Sequence, residues 1–157
     1  MTCNNSALNP NIVIQGAGGV GSKTAITVVQ NNHGFSAGTA VRWNSGVDGT
    51  AAEYRAAQAN NAYNAEVVGI VSQKYDANSF ELCLGGVVKM NDFFSNTTGS
   101  INEGATADDV YFLGGYTAGW LDNRRPTTPG WVAKPVITRI AEDVNGDIFW
   151  ICDQLRW

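Results

Sequence analysis

Residues 137–152 read Ile-Thr-Arg-Ile-Ala-Glu-Asp-Val-Asn-Gly-Asp-Ile-Phe-Trp-Ile-Cys, two apolar-rich runs joined through Asn145-Gly146. Asn-Gly supplies both positive-φ positions of a type I′ turn, whose twist matches that of the strands it joins. The stretch therefore predicts a C-terminal β-hairpin. The first strand is expected to extend back to Trp131, and Pro135 inside it has no N–H to donate to a ladder, so this part of the strand is expected at a sheet edge or a bulge.

Short strand-like runs recur through the rest of the chain, separated by clusters of Gly and Asn. Such spacing predicts a mainly β fold, a compact barrel or sandwich. Residues 50–59 fit this pattern less well, because their helix propensity is strong but their apolar positions form no helical stripe. They are expected as either a short helix or an exposed strand.

The length of 157 residues fits one domain with an attached arm. Residues 23–157 are expected to form a single β-rich domain. Residues 1–22 begin with an Asn-rich stretch and end in a glycine cluster, and they predict an extended N-terminal arm and a Gly-rich link. The apolar run Ile12 to Gln15 suits addition to the sheet edge of a neighbour.

Composition and charge exclude several classes of partner. The net charge of −4, with Arg124-Arg125 as the only adjacent basic pair, disfavours nucleic acid, which is bound through clustered Lys and Arg. No apolar run approaches the roughly 18 residues of a membrane span. Since the first residues do not resemble a signal peptide, the protein is expected to be made in a cytoplasm.

The motifs that suggest chemistry have simpler readings. Gly16 to Gly21 matches a dinucleotide-binding pattern, but β-branched residues follow where a helix is required, and no acidic ribose partner lies about 20 residues on. His33 precedes Gly34-Phe35 and suits a hydrogen-bonding role in a turn. Asp143, Asn145 and Asp147 alternate like calcium ligands but lack the distal Glu. The three cysteines have no metal-ligand spacing. We therefore expect no catalytic residue, cofactor or metal site, and a protein that is not an enzyme.

Five tryptophans are many for this length. Trp43 and Trp150 lie within alternating runs, which predicts that both pack in the core. Trp120, Trp131 and Trp157 lie in or beside loops, where aromatic residues often anchor interfaces. The candidate partner contacts are Ile12, Val13, Ile14, Trp120, Arg124, Arg125, Trp131 and Trp157.

Several stretches, in order, resemble a β-domain found in tailed-bacteriophage virion proteins, both at fibre ends and in head-decoration proteins. The stretches are residues 33–44, 64–71, 85–88, 109–113 and 126–136. The resemblance implies a compact barrel-like domain without catalytic residues, usually assembled as a trimer on the particle.

The resemblance implies a location on the virion surface, after synthesis in the cytoplasm of a bacterial host. Because no long repetitive shaft precedes the domain, the resemblance favours a capsid decoration (cement) protein or a short spike over a long fibre. The expected partner is the major capsid protein or another virion protein. The alternative is a receptor-binding tail-fibre tip that recognises a host-surface saccharide.

Overall fold

A computed structural model describes residues 14–16, 23–46, 49–90, 110–143 and 146–151. All regular structure in this part of the chain is β-strand, and every strand pair is antiparallel. The prediction of a mainly β fold is thus confirmed. The strands are β1 Ile14–Gly16, β2 Lys23–Val29, β3 Ala40–Asn44, β4 Glu53–Ala56, β5 Val67–Lys74, β6 Ser79–Met90, β7 Val110–Leu113, β8 Leu121–Asp122, β9 Pro135–Asp143 and β10 Gly146–Ile151.

The long strand β6 organises the sheet. Its first part pairs with β5 along one edge and with β2 along the other, and its last residues pair with β10. Gly86 lies at the changeover, where it pairs with both Lys23 and Ile151. The strand order β4-β3-β5-β6-β10-β9-β7-β8 follows, with β2 and then β1 attached to β6.

Strands β2, β6, β5, β3 and β4 curl around an apolar cluster. Ile26 and Val28 of β2 lie opposite Leu82 and Phe80 of β6, and all four are buried. Burying a side chain of this size contributes about 1.5–3 kcal/mol. The cluster also contains Phe35, Val41 and Val71.

No ladder joins β4 to β2 in the described residues, and a side chain spans this gap. The Gln30 amide, just after β2, donates to the Tyr54 carbonyl oxygen at 3.0 Å and accepts from the Tyr54 N–H at 2.8 Å. The amide thus imitates a neighbouring strand at the free edge of β4, a position that would otherwise invite pairing with another chain.

A second buried cluster lies on the opposite face of β3 and β5. Ala40 and Ile70 belong to it, while the next residues, Val41 and Val71, belong to the first cluster. Its other members include Tyr111, Leu113 and Ile137 from β7 and β9. The central strands are therefore buried on both faces, because successive side chains of a strand point to opposite sides.

The C-terminal hairpin is confirmed by the antiparallel pairing of β9 with β10, in which Gly146 lies opposite Asp143. Asn145 of its turn lies outside the described residues. Pro135 lies at a register shift between Tyr111 and Phe112, so the predicted bulge is confirmed. The open question over residues 50–59 is resolved in favour of a strand, since Glu53–Ala56 pairs with β3.

The structure also bears on the predictions for two tryptophans and for the N-terminal arm. The prediction that Trp43 packs in the core is wrong, because this side chain is 47% exposed and packs edge-on against Tyr54 at a centroid distance of 5.0 Å. The side chain of Trp150 lies outside the description. Residues Ile14–Gly16, predicted to belong to the arm, form β1 and pair with β2 of the same chain.

Candidate binding groove between the β7–β8 loop and Trp131

A shallow groove lies where the β7–β8 loop meets the segment that leads into β9. Gly114 and Gly115 follow β7 directly, and Gly119 turns the chain back into β8 with a φ of +81°. Positive φ is accessible to glycine because it has no Cβ. After β8, Pro126 and Pro129 hold an extended loop that carries Trp131 back across the glycines.

The central feature of the groove is an aromatic pair. The Tyr116 and Trp131 rings meet edge to face, with centroids 4.6 Å apart and planes at 76°. Tyr116 is 86% exposed, whereas Trp131 is half-buried. A Cβ on Gly115 would lie 2.0 Å from ring atoms of Trp131, so only glycine allows the indole to lie across the backbone here.

Hydrogen bonds from a neighbouring segment fix the loop that presents Tyr116. The Gln58 amide donates to the carbonyl oxygens of Gly115 at 2.8 Å and Tyr116 at 3.3 Å. The Ala59 N–H donates to the Gly114 carbonyl, and the Ala59 carbonyl accepts from Val132. The segment after β4 therefore ties both walls of the groove together, so a ligand would meet a preorganised surface.

Charged side chains line the other side of the aromatic pair. The Arg124 guanidinium donates two bonds of 3.0 Å to the two oxygens of Asp122, and the Arg124 N–H adds a third at 2.9 Å. These bonds and the charge of Asp122 raise the pKa of Arg124. Arg125 is exposed beside them. The groove thus combines an aromatic surface with a fixed ion pair and a second cation.

The open cavity measures about 210 Å³. Its lining consists of Gly114, Gly115, Tyr116, Asp122, Arg124, Arg125, Pro126, Thr127, Thr128 and Trp131. Aromatic rings, arginines and threonine hydroxyls suit the binding of a partner side chain or of a polar ring with an apolar face.

The structure brings three of the candidate contacts together in this groove: Arg124, Arg125 and Trp131. Trp120 lies in the same loop, half-buried, and its carbonyl oxygen accepts from the Gly114 N–H at 2.7 Å. Ile14 lies apart from the groove on β1, opposite Ile26. Ile12, Val13 and Trp157 lie outside the described residues.

Sequence reasoning missed Tyr116 and Asp122. Tyr116 sits in a glycine-rich loop, and an aromatic residue in such a loop is itself a signal for an exposed contact. Asp122 and Arg124 are two apart at a strand end, a spacing compatible with a local ion pair. Neither signal indicates that Tyr116 meets Trp131, which lies fifteen positions on.

His33 has the turn role expected for it. Its Nδ1 accepts from the Phe35 N–H at 3.0 Å, and Nε2 lies 2.9 Å from the Asp76 carbonyl oxygen, to which it donates in that tautomer. The ring also packs against Phe80, with centroids 4.8 Å apart. Of the glycine motif at 16–21, the structure describes only Gly16, which ends β1.

The described residues lack both a metal-binding cluster and a membrane-spanning helix. No group of three or more His, Cys, Asp or Glu side chains there is arranged to hold a metal ion. The same residues contain no helix long and apolar enough to cross a membrane.

No protein-family model matches the chain, and neither a curated protein nor a solved structure shows significant similarity to it.

Proposed function

We propose that this chain is a structural protein of the bacteriophage particle surface, a capsid decoration or short spike protein that acts by protein–protein binding. The observation that carries the proposal is the preorganised Tyr116–Trp131 pair, exposed beside Arg124 and Arg125. The likeness of the ordered stretches at 33–136 to phage virion domains supplies the setting. The partner is the major capsid protein or another virion protein, and the chain itself assembles as a homotrimer.

The composition of the groove supports binding to a protein partner. Tyr, Trp and Arg are the residues most enriched among those that dominate binding energy at interfaces. Here their positions are held by Gln58 and by the close approach of Gly115. Because these side chains are already held in place, binding a partner would cost the groove little conformational entropy.

The test is capture of virion proteins by the purified full chain. The Trp131→Ala chain should bind the captured virion protein at least tenfold more weakly, because an anchor residue costs 2 kcal/mol or more when truncated. Trp43→Ala, which removes an exposed aromatic away from the groove, is the matched control and should bind normally. Particles that lack the chain, or equal capture by both variants, would refute the proposal.

The groove also favours a second candidate, a receptor-binding tail-fibre tip for host-surface saccharide. An aromatic ring stacks on the apolar face of a sugar, while Asp122 and Arg124 offer an acceptor and donors to its hydroxyls. A glycan array with the full chain tests this. Binding that is abolished by Trp131→Ala and retained by Trp120→Ala, whose ring does not line the groove, would support the tip. A blank array would count against it.

A further inference from the structure

Arg42 is a buried cation, and two of its three guanidinium nitrogens lack an acceptor among the described residues. It lies in the middle of β3 and is only 7% exposed. Its Nε and Nη1 atoms are enclosed, and neither has a hydrogen-bond partner in the part of the chain that the structure describes. An enclosed N–H without a partner loses its hydrogen bonds to water and gains none in return, and this loss is larger when the group is charged.

The described side chains around Arg42 are already engaged. Asn44 donates to Thr50 Oγ1 and to the Ala51 carbonyl, and its Oδ1 accepts from the Tyr63 hydroxyl at 2.9 Å. The Tyr63 ring contacts the Arg42 guanidinium, with Cζ 4.6 Å from the ring centroid. This cation–π contact holds the guanidinium in place and accepts none of its hydrogen bonds.

A second cation lies across the strand pair. Arg55 of β4 is the direct partner of Arg42 in the register, so the two side chains leave the sheet on the same face. Arg55 Nε donates to Glu53 Oε1 at 3.1 Å. Like charges directly opposite each other destabilise a strand pair. Among the described residues, these two guanidinium groups and the one carboxylate leave one positive charge on this face.

We propose that the face of β3 and β4 carrying Arg42 and Arg55 is an anion site that takes a carboxylate. A planar carboxylate set against either edge of the Arg42 guanidinium accepts two parallel hydrogen bonds and satisfies an enclosed nitrogen. Its single charge neutralises the local excess of one. The site is independent of the Tyr116–Trp131 groove, since no residue is shared.

The carboxylate has two sources, a small free anion or an acidic side chain of another copy of this chain. Thermal unfolding of the full chain in increasing acetate, against chloride at equal ionic strength, tests the first source. Light-scattering mass at fixed protein concentration tests the second. The variant is Arg42→Met, which keeps the buried volume and removes the charge. Lys74→Met removes an exposed cation at the end of β5, outside the Tyr116–Trp131 groove, and is the matched control.

A rise in Tm of several degrees in acetate that is specific to chains with Arg42 would show a free carboxylate at the site. An assembly whose mass falls in Arg42→Met but not in Lys74→Met would show that another copy supplies the group. Arg42→Lys, which keeps one donor and the charge, should retain part of either effect. If neither the acetate response nor the mass depends on Arg42, water fills the site and the proposal is wrong.

Discussion

Two buried charges in the same sheet have opposite surroundings. Glu81 on β6 is 5% exposed and forms an ion pair with Lys23 of β2. Its carboxylate also accepts a hydrogen bond of 2.6 Å from the Ser72 hydroxyl of β5. Arg42 on β3 is 7% exposed, and two of its guanidinium nitrogens have no partner among the described residues. The difference separates two uses of a buried charge. Glu81 connects three strands through its partners, whereas the described residues around Arg42 supply no acceptor for two of its nitrogens, which is why we propose a ligand there.

The largest effect in this comparison is expected from removing the carboxylate of Glu81, the buried charge that has partners. Glu81→Ala leaves Lys23 without its partner and leaves Ser72 only the main-chain carbonyl oxygen of residue 81, at 3.4 Å, so the free energy of unfolding should fall by about 2–3 kcal/mol. The value lies below that of a fully buried pair because Lys23 is about one-third exposed. Urea denaturation measures it. Glu53→Ala, at an ion pair whose two side chains are each about one-third exposed, is the control, with a loss below about 1 kcal/mol. Equal losses in both variants would refute the distinction.

The same carboxyl should make stability depend on pH in the acid range. Burial raises the pKa of Glu81, but hydrogen bonds from Lys23 and Ser72 and the charge of Lys23 outweigh it, so the pKa lies below its usual value. The unfolded chain therefore binds this proton at a higher pH than the folded chain. The stabilisation is present above the unfolded pKa and is lost as pH falls through the lowered folded pKa.

Denaturation midpoints measured from pH 6 downward test this dependence. Glu81→Gln should remove part of the fall in stability below the ordinary pKa of a glutamate, and Glu53→Gln should remove much less of it. A fall of the same size in the wild-type chain and in Glu81→Gln would show that other carboxyls cause the acid response.

The parts of the fold that sequence predicted were those set by local chemistry. Asn145-Gly146 indicated the hairpin because turn preference acts over a few residues. The helix propensity of residues 50–59 did not decide their structure, since Glu53–Ala56 pairs with β3 and tertiary pairing overrides propensity. Alternation predicted a strand at residues 39–43. The pattern does not show which side chains another layer of the fold covers, and the exposure of Trp43 was therefore not predicted.

The candidate site was only partly predictable for the same reason. Loop position singled out Trp131, Arg124 and Arg125, and the structure gathers them around one groove. That they contact a partner stays a prediction. Arg42 lies in an ordinary strand pattern, and its lack of acceptors depends on the folded neighbours. Burial and hydrogen-bond satisfaction are properties of contacts between distant residues, so the sequence alone does not contain that signal.

A smaller effect is expected where β4, which carries Arg55, meets the Gln30 amide. Gln30→Ala removes two hydrogen bonds to the Tyr54 backbone and should lower the free energy of unfolding by about 1–2 kcal/mol. It also opens the edge of β4, so the chain should self-associate more strongly as its concentration rises. Denaturation and light scattering measure both effects, with the exposed Gln73→Ala as control. If neither the free energy of unfolding nor the self-association changes, the Gln30 amide is not needed to protect the edge of β4.

The smallest effect concerns Tyr63, which touches Arg42 with its ring and Asn44 with its hydroxyl. Tyr63→Phe keeps the ring and leaves the fully buried Asn44 Oδ1 without its donor, so stability should fall by about 1 kcal/mol while the acetate response survives. Tyr63→Leu also removes the cation–π contact, and the guanidinium then loses its fixed position. The acetate response should weaken in Tyr63→Leu alone, because only there is the binding group no longer held. An equal response in all three chains would mean that Arg42 is positioned by the sheet and not by the ring.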